Sequence, residues 1–396
     1  MNNLETQQTT EEGAKLAVPS GSEKDPFHKL AFYNPRMSFN RSVSSLALAA
    51  CNALDKKFDK ITLLDGLCST GARGIRYALE NKFVKKVVFV DGNEHALELL
   101  EKNAKLNKLQ KRSVLVHSDL NEFLENTEEA FDFIEVDPFG TPVPFLKNSL
   151  EKISFGKRKY GILSVTATDL AALSGKEQAM CVKNYSAKPM RCSFTHEISL
   201  RIVIAKIALE ASALGLNAEP VFSFYQGHAV KTVCKISKAV KGANAKASAA
   251  KKLSENIGFV SLCRQCLHRE WGKSKVEKCK ACGGRMDWAG PLWLAETCRK
   301  EFIEKMIEIV KNRMYSDARQ VKKMLSTMLA EFSLPPFFYD LHDLASKMGG
   351  LPPRNDEAIA TLKAKGFSAS LTHYDPKGIR TNAQVSEIAL LLKKRP

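Results

Sequence analysis

From Ile61 onward the chain alternates β-rich runs with helical ones, and this alternation limits the fold more than any other feature. ITLLD (61–65), KKVVFVD (85–91), SVLVH (113–117), FDFIEVD (131–137) and YGILSVTAT (160–168) are short runs rich in Val, Ile and Leu. Helical stretches near 73–81 and over 94–107 separate the first three. Strands that are apolar on both faces and joined through helices form a parallel sheet covered on both sides. A long helix over 195–214 then precedes two more strand-like runs, EPVFSFYQG and AVKTVCKIS. The expectation is an α/β, Rossmann-like domain.

Open sheets of this kind bind ligands beyond the carboxyl ends of their strands. The loop DGLCSTGARGIR (65–76) follows the first strand. Gly71 and Gly74 permit close backbone approach, and a helix starting near Arg73 presents N–H groups to an anion. The second strand ends in Asp91, placed to accept from a ribose diol; Asp119 follows the third, placed for the exocyclic amine of adenine. Either acid alone also reads as an ordinary helix cap. Together with the loop they suit an adenosine ligand. The loop is not G-x-G-x-x-G, so S-adenosylmethionine fits better than a dinucleotide.

EVDPFGTPVPF (135–145) is the sharpest motif of this region. An aryl amine is a poor nucleophile because its lone pair is delocalised into the ring. A carboxylate at a strand end accepts its N–H bonds and offsets the positive charge that grows during attack on a methyl group. Asp137 is therefore the expected catalytic residue, with Pro138 stiffening the turn and Phe139 offering a face on which a base stacks. Upstream, in HKLAFYNPRMSFNRSV (28–43), Arg36 is a candidate for the carboxylate of the methionine moiety.

Cys263-x-x-Cys266 and Cys279-x-x-Cys282 place four thiolates on two knuckles, the set that tetrahedral Zn²⁺ requires. With all four positions filled by Cys, the metal is expected to be structural. The other Cys are scattered, as in a reducing compartment. Lys+Arg outnumber Asp+Glu by 60 to 43, which favours a polyanionic partner. The surplus is concentrated: residues 229–283 hold thirteen Lys or Arg against three acids. KAVKGANAKASAAKK (238–252) reads as a flexible or weakly helical basic connector, and helices are expected beyond it at 293–314, 317–332, 336–348 and 356–366. The polar N-terminus has no apolar run of the secretory type. The most apolar stretch, 198–214, carries Arg201, Lys206 and Glu210 and reads as a buried helix. A cytoplasmic protein with no membrane association and no obligate protein partner is expected.

FYNPRMSFNR, LLDGLCSTGARGIRYALE, EVDPFGTP, VTATDLAAL, HEISLRI and THYDPKGIRT together resemble the tRNA guanine-26 N2-dimethyltransferase family, from about Phe32 to Asn382. The resemblance implies a Rossmann-like class I methyltransferase domain, followed by a smaller, mostly helical C-terminal domain with a four-cysteine zinc module. It implies S-adenosylmethionine as cofactor and tRNA as partner, with one or two methyl groups placed on N2 of guanosine 26. Carried onto this chain, it implies cofactor contacts from Arg36, Arg73, Asp91, Asp119 and Leu120, catalysis by Asp137, a base held between Phe139 and Phe27, and zinc on Cys263, Cys266, Cys279 and Cys282. Ser42 and Thr141 depart from the usual Asp and Ser of the family. The expected organisation is a disordered tail (1–24), the methyltransferase domain (25–237), the connector (238–256) and a zinc-containing, helical tRNA-binding domain (257–396). The alternatives are an amino-methyltransferase of rRNA or DNA, and a non-catalytic RNA-binding protein.

Overall fold

The computed structural model describes residues 5–27, 29–156, 158–239 and 244–394. It opens with an antiparallel hairpin, β1 (Thr6–Glu11) and β2 (Ala14–Pro19). This corrects the expectation of a disordered tail over 1–24, of which residues 1–4 lie outside the described residues. Two features fix the hairpin. Glu12 and Gly13 turn the chain at positive φ, so Ala14, Leu16 and Val18 are buried. Glu11 then lies between two buried guanidiniums, 2.5 Å from Arg41 and 2.8 Å from Arg76.

Helix α1 (Ser38–Leu54) leads into the central sheet. In chain order come β3 (Ile61–Gly66), α2 (Ala72–Glu80), β4 (Val84–Asp91), α3 (Glu94–Leu106), β5 (Ser113–His117), α4 (Leu120–Asn126), β6 (Phe133–Val136), α5 (Val143–Glu151) and β7 (Tyr160–Ala167). Then follow α6 (Leu170–Leu173), α7 (Gln178–Tyr185), α8 (Thr195–Ala213), β8 (Leu216–Gln226) and β9 (Ala229–Lys238). The seven strands lie in the order β5-β4-β3-β6-β7-β9-β8. Strands β3 to β7 pair in parallel, and β9 is antiparallel to both neighbours. The expected strands are therefore present, buried on both faces as Leu63, Leu64, Val88, Val90, Ile134, Val136, Leu163 and Val165. The chain winds outward from β3 to β5 and then returns to β6, so the switch point opens between the carboxyl ends of β3 and β6.

The second half departs from the expected organisation. Most of the basic connector is an ordered helix, α9 (Ala245–Asn256), with Ala249 buried against α8 and β8; residues 240–243 lie outside the described residues. Strands β10 (Ile257–Cys263), β11 (Arg269–Gly272) and β12 (Met286–Trp293) form a separate sheet in the order β11-β10-β12. Helices α10 (Lys300–Val310) and α11 (Ala318–Glu331) then return to the first domain. Their Phe302, Ile303, Met306, Val321 and Leu325 share one apolar core with Leu16, Val43, Leu46, Leu63 and Ile75. Residues 257–396 are thus not one independent body, because the apolar stripe of α10 is buried on α1. The chain ends in helices Leu341–Met348 and Asn355–Ala364 around a small sheet of strands 339–340, 369–371 and 378–381. Among the described residues no helix is long and apolar enough to cross a membrane.

Candidate active site and metal centre

The loop after β3 crosses the switch point in a conformation that few residues adopt. Leu67, Ser69 and Gly71 all have positive φ. A Cβ on Gly71 would stand 2.1 Å from Leu100 Cδ1, and one on Gly74 would stand 2.4 Å from Phe89 and 2.7 Å from Asp65 Oδ2. These glycines let α2 pack closely on the sheet; the approach they permit is to the protein itself. Asp65 accepts the Gly74 N–H at 2.9 Å, so helix α2 starts on a carboxylate at the end of β3.

Asp91 closes β4 and accepts the backbone N–H groups of Ser69 (2.7 Å) and Asn93 (2.9 Å), which ties the loop after β3 to the next strand. Asp119 is exposed and caps α4, its Oδ1 accepting from Asn121 and Glu122. Leu120 is buried, with its side chain over Gly66. Arg36 is exposed in the short helical turn Pro35–Met37, and its guanidinium has no ion pair among the described residues. Arg73 does not join this group. It is buried, and donates through Nη1 to Asn40 (3.0 Å) and Ser44 (2.9 Å) and through Nη2 to Asp137. Arg73, expected to contact the cofactor, forms an ion pair with the catalytic candidate, because α2 starts directly beside the end of β6.

Asp137 follows β6 at the other side of the switch point, its side chain 23% exposed. Burial works against its charge, but Arg73 and Lys231 outweigh that and hold its pKa below the usual carboxylate range. Beneath it lies a polar row to which the motifs assign no role, although Asp65 and Glu135 open two of them. Glu135, fully buried, accepts from Tyr77 Oη at 2.7 Å and from Lys231 Nζ, with Arg73 Nε 3.8 Å away. Lys231 also donates to Thr166 at 3.0 Å. Asp65 lies beside Glu135 in register, and burial together with that neighbouring charge pushes its pKa up to about 8. A Glu two residues before the catalytic Asp, on the same sheet face, was the available signal; its partner Lys231 lies 96 residues away.

The turn after Asp137 is fastened to β7. Gly140 donates to Thr168 Oγ1 at 2.7 Å, and Thr141 meets Tyr185, which donates to Asp169 at 2.7 Å. Thr141, where the family usually has Ser, therefore keeps a hydroxyl contact. Phe139 is 69% exposed and Phe27 is 65% exposed, their centroids 6.3 Å apart and tilted by 56°. The structure brings the two expected aromatics together and adds a third, Phe32, edge-on to Phe139 at 4.6 Å. A stacked base needs two parallel rings about 7 Å apart, two contact distances of about 3.5 Å, so Phe139 and Phe27 do not yet form its sandwich.

The four cysteines meet at the end of β10 and the turn before β12, all sulfurs lying within 4.8 Å of one another. Cys263 and Cys282 are 3.4 Å apart and Cys266 and Cys279 3.6 Å. Four sulfurs about 2.3 Å from a Zn²⁺ ion are about 3.8 Å apart, so the set fits a closed tetrahedral site. The surrounding lysines are engaged. Lys273 donates to the Ser254 carbonyl, Lys275 lies 3.6 Å over Trp288, and Lys280 pairs with Glu270. The exposed Lys246, Lys251 and Lys252 of α9 have no ion pair among the described residues.

The family model of N2,N2-dimethylguanosine tRNA methyltransferases matches residues 13–393. This chain belongs to that family. A tRNA (guanine(26)-N(2))-dimethyltransferase of Methanobrevibacter smithii is 34% identical over 97% of each chain. A tRNA (guanine(26)-N(2)/guanine(27)-N(2))-dimethyltransferase of Aquifex aeolicus is 33% identical, over 95% of this chain and 93% of its own. Trm1 from Pyrococcus horikoshii, solved with S-adenosyl-L-methionine, superposes with a TM-score of 0.83 at 27% identity, over 98% of this chain and all of its own.

Proposed function

We propose that the chain is an S-adenosylmethionine-dependent tRNA methyltransferase that places one or two methyl groups on N2 of guanosine 26. The observation that carries the reading is Asp137: an ionised, half-open carboxylate at the switch point, beside an exposed aromatic ring and across from Asp91 and Asp119. The donor set suits the cofactor. Arg36, without an ion pair among the described residues, would hold the carboxylate, Asp91 would accept from the ribose diol, and Asp119, which has one oxygen not used in capping α4, would accept from the adenine amine. Leu120, packed against Gly66 beneath the loop after β3, would support the adenosine. S-adenosylmethionine supplies the electrophilic methyl group when bound.

The chain's own residues do the rest. Arg73 holds Asp137 Oδ2, leaving Oδ1 to accept an N–H of the guanine amine. That bond directs the nitrogen lone pair away from the carboxylate and offsets the charge that builds on nitrogen. The amine proton leaves to Asp137 as the new N–C bond completes. Phe139 and Phe27 hold the base once they part to the width of a ring. Zinc fits the four-cysteine set as a structural ion, and within the basic stretch the exposed Lys246, Lys251 and Lys252 meet the tRNA backbone. The same chemistry on rRNA or DNA is the alternative, which family membership does not favour. Nucleoside mass spectrometry after incubation with tRNA, rRNA or duplex DNA and labelled cofactor tests it. N2-methylated guanosine confined to tRNA is expected; label in rRNA or DNA alone overturns the reading.

A further inference from the structure

Four adjacent strands each contribute a polar side chain to the row beneath Asp137: Asp65 from β3, Glu135 from β6, Thr166 from β7 and Lys231 from β9. Every one is almost fully buried, in a sheet whose other buried polar side chains are the small hydroxyls Ser164, Ser223 and Thr232. Burying a charge pair costs several kcal/mol, and well-packed apolar residues of similar volume often serve stability as well or better. Fold alone does not ask for a lysine here. The connections run in one direction. Lys231 holds Glu135 Oε1, Tyr77 holds Glu135 Oε2, and Arg73 Nε sits 3.8 Å from the same Oε1 while its Nη2 reaches Asp137. Two cations thus share two carboxylates, one sealed and one open to the crevice.

We propose that Lys231 is a positioning residue for methyl transfer: by neutralising Glu135 it leaves the Arg73 fork free to hold Asp137, and so keeps that carboxylate aimed at the guanine amine. Without Lys231, Glu135 would be a buried charge with Arg73 as its nearest cation. The guanidinium would turn toward it, and Asp137 would lose the partner that fixes its geometry. Burial depresses the pKa of Lys231, Glu135 and Asp137 support its charge, and Arg73 opposes it; the hydrogen bonds to Glu135 and Thr166 fix where the amine sits. This inference rests on the assignment of Asp137 to the amine, and it concerns a residue that touches neither cofactor nor base.

The test uses the full chain with zinc and compares Lys231→Met, Lys231→Arg and the double variant Lys231→Met/Glu135→Gln. Cofactor affinity by calorimetry, KM for tRNA, kcat per cofactor-binding site and thermal melting are measured for each. Lys231→Met should lower kcat at least 10-fold, with cofactor Kd and tRNA KM within about 3-fold of wild type. Lys231→Arg should restore kcat to within about 3-fold, since a guanidinium bridges the same acids. The double variant separates positioning from folding, and decides the matter if the single variant does not fold. It should melt higher than Lys231→Met, because no buried charge is left bare, and should recover most of the lost kcat, because a neutral side chain at position 135 no longer draws Arg73 away from Asp137. A kcat near wild type in Lys231→Met overturns the proposal, as does a double variant that melts higher yet stays as slow as Lys231→Met, or a loss in which kcat, Kd and KM move together. Should wild type fail to methylate tRNA, the functional reading falls instead, so the two failures are distinguishable.

Discussion

Two buried charge networks in this molecule use the same residue types and do different things. One lies under the switch point: Asp65, Arg73, Tyr77, Glu135, Lys231 and Asp137. The other joins α8 to α11 and the C-terminal strand: Glu197, Arg201, Glu331, His373 and Arg380. In the second, Arg380 pairs with Glu197 (3.0 Å) and Glu331 (2.8 Å), Arg201 donates to Glu197 and to the Trp293 carbonyl, and His373 meets Glu331. No side chain of that network is more than 6% exposed. It is closed, and it holds elements together. The first network ends in a carboxylate open to the crevice and contains an acid, Asp65, that burial keeps from ionising at low pH. What separates an adhesive network from a chemical one is a carboxylate open to the crevice, not the count of charges.

The largest expected effect falls on the closed network. Arg380→Met strands two buried carboxylates and should cost about 3–5 kcal/mol of stability, read by urea unfolding, while kcat per folded molecule stays near wild type. A small effect would mean that the network does not clamp the C-terminal strand. The converse variant, Asp137→Ala, should cut turnover about 10²–10³-fold with stability and cofactor affinity nearly unchanged. Activity within a few-fold of wild type would remove Asp137 from its role and erase the contrast.

The two networks should also respond to pH with opposite sign. Burial works against the charge of Glu331, but Arg380 and His373 outweigh it and hold its pKa at about 2 against an ordinary 4.5. The stability this contributes is complete above about pH 4.5 and disappears as pH falls toward 2. Asp65 is shifted the other way, from 3.8 to about 8. Its contribution is complete below about pH 4 and is lost as pH rises to about 8. Unfolding free energies across pH should therefore show a decline between about pH 4 and 8 that Asp65→Asn removes and a decline below about pH 4.5 that Glu331→Gln removes. Persistence of either decline in its variant would assign it elsewhere. The smallest effect concerns lysines outside both networks. Neutralising Lys246, Lys251 and Lys252 should flatten the salt dependence of tRNA affinity, by up to about 0.9 log unit of slope for each duplex phosphate no longer neutralised. Neutralising Lys273, Lys275 and Lys280, whose charges are engaged internally, should change it less. The reverse order would place the RNA on the zinc face.

The sequence made the strands, the acids that end them and the four-cysteine site legible, because each rests on local pattern: apolar runs stopped by turns, and two close Cys pairs. The polar row was not legible. Glu135 and Lys231 look like incidental charges in apolar runs until the topology sets β6, β7 and β9 side by side. The N-terminal hairpin was missed because TQQTTE is polar, although the alternation of Ala14, Leu16 and Val18 after Gly13 carried the signal. The reach of α10 and α11 back to α1 was beyond any local pattern, since amphipathic helices do not state which surface they cover.

The return of α10 has a mechanical consequence for the zinc module. The chain leaves the catalytic sheet at the end of β9, where Ala239 donates to the Gly215 carbonyl, and comes back at Arg299, whose N–H bonds the Val221 carbonyl on the neighbouring strand β8. Between these points Lys188 and Gly290 exchange two backbone hydrogen bonds, a third fixture on the long segment before α8. A part pinned at three separated places has no hinge axis left to it. The module is a bracket bolted to the catalytic body, not an arm, so a bulky substrate must come to a preset gap instead of being grasped by a closing one.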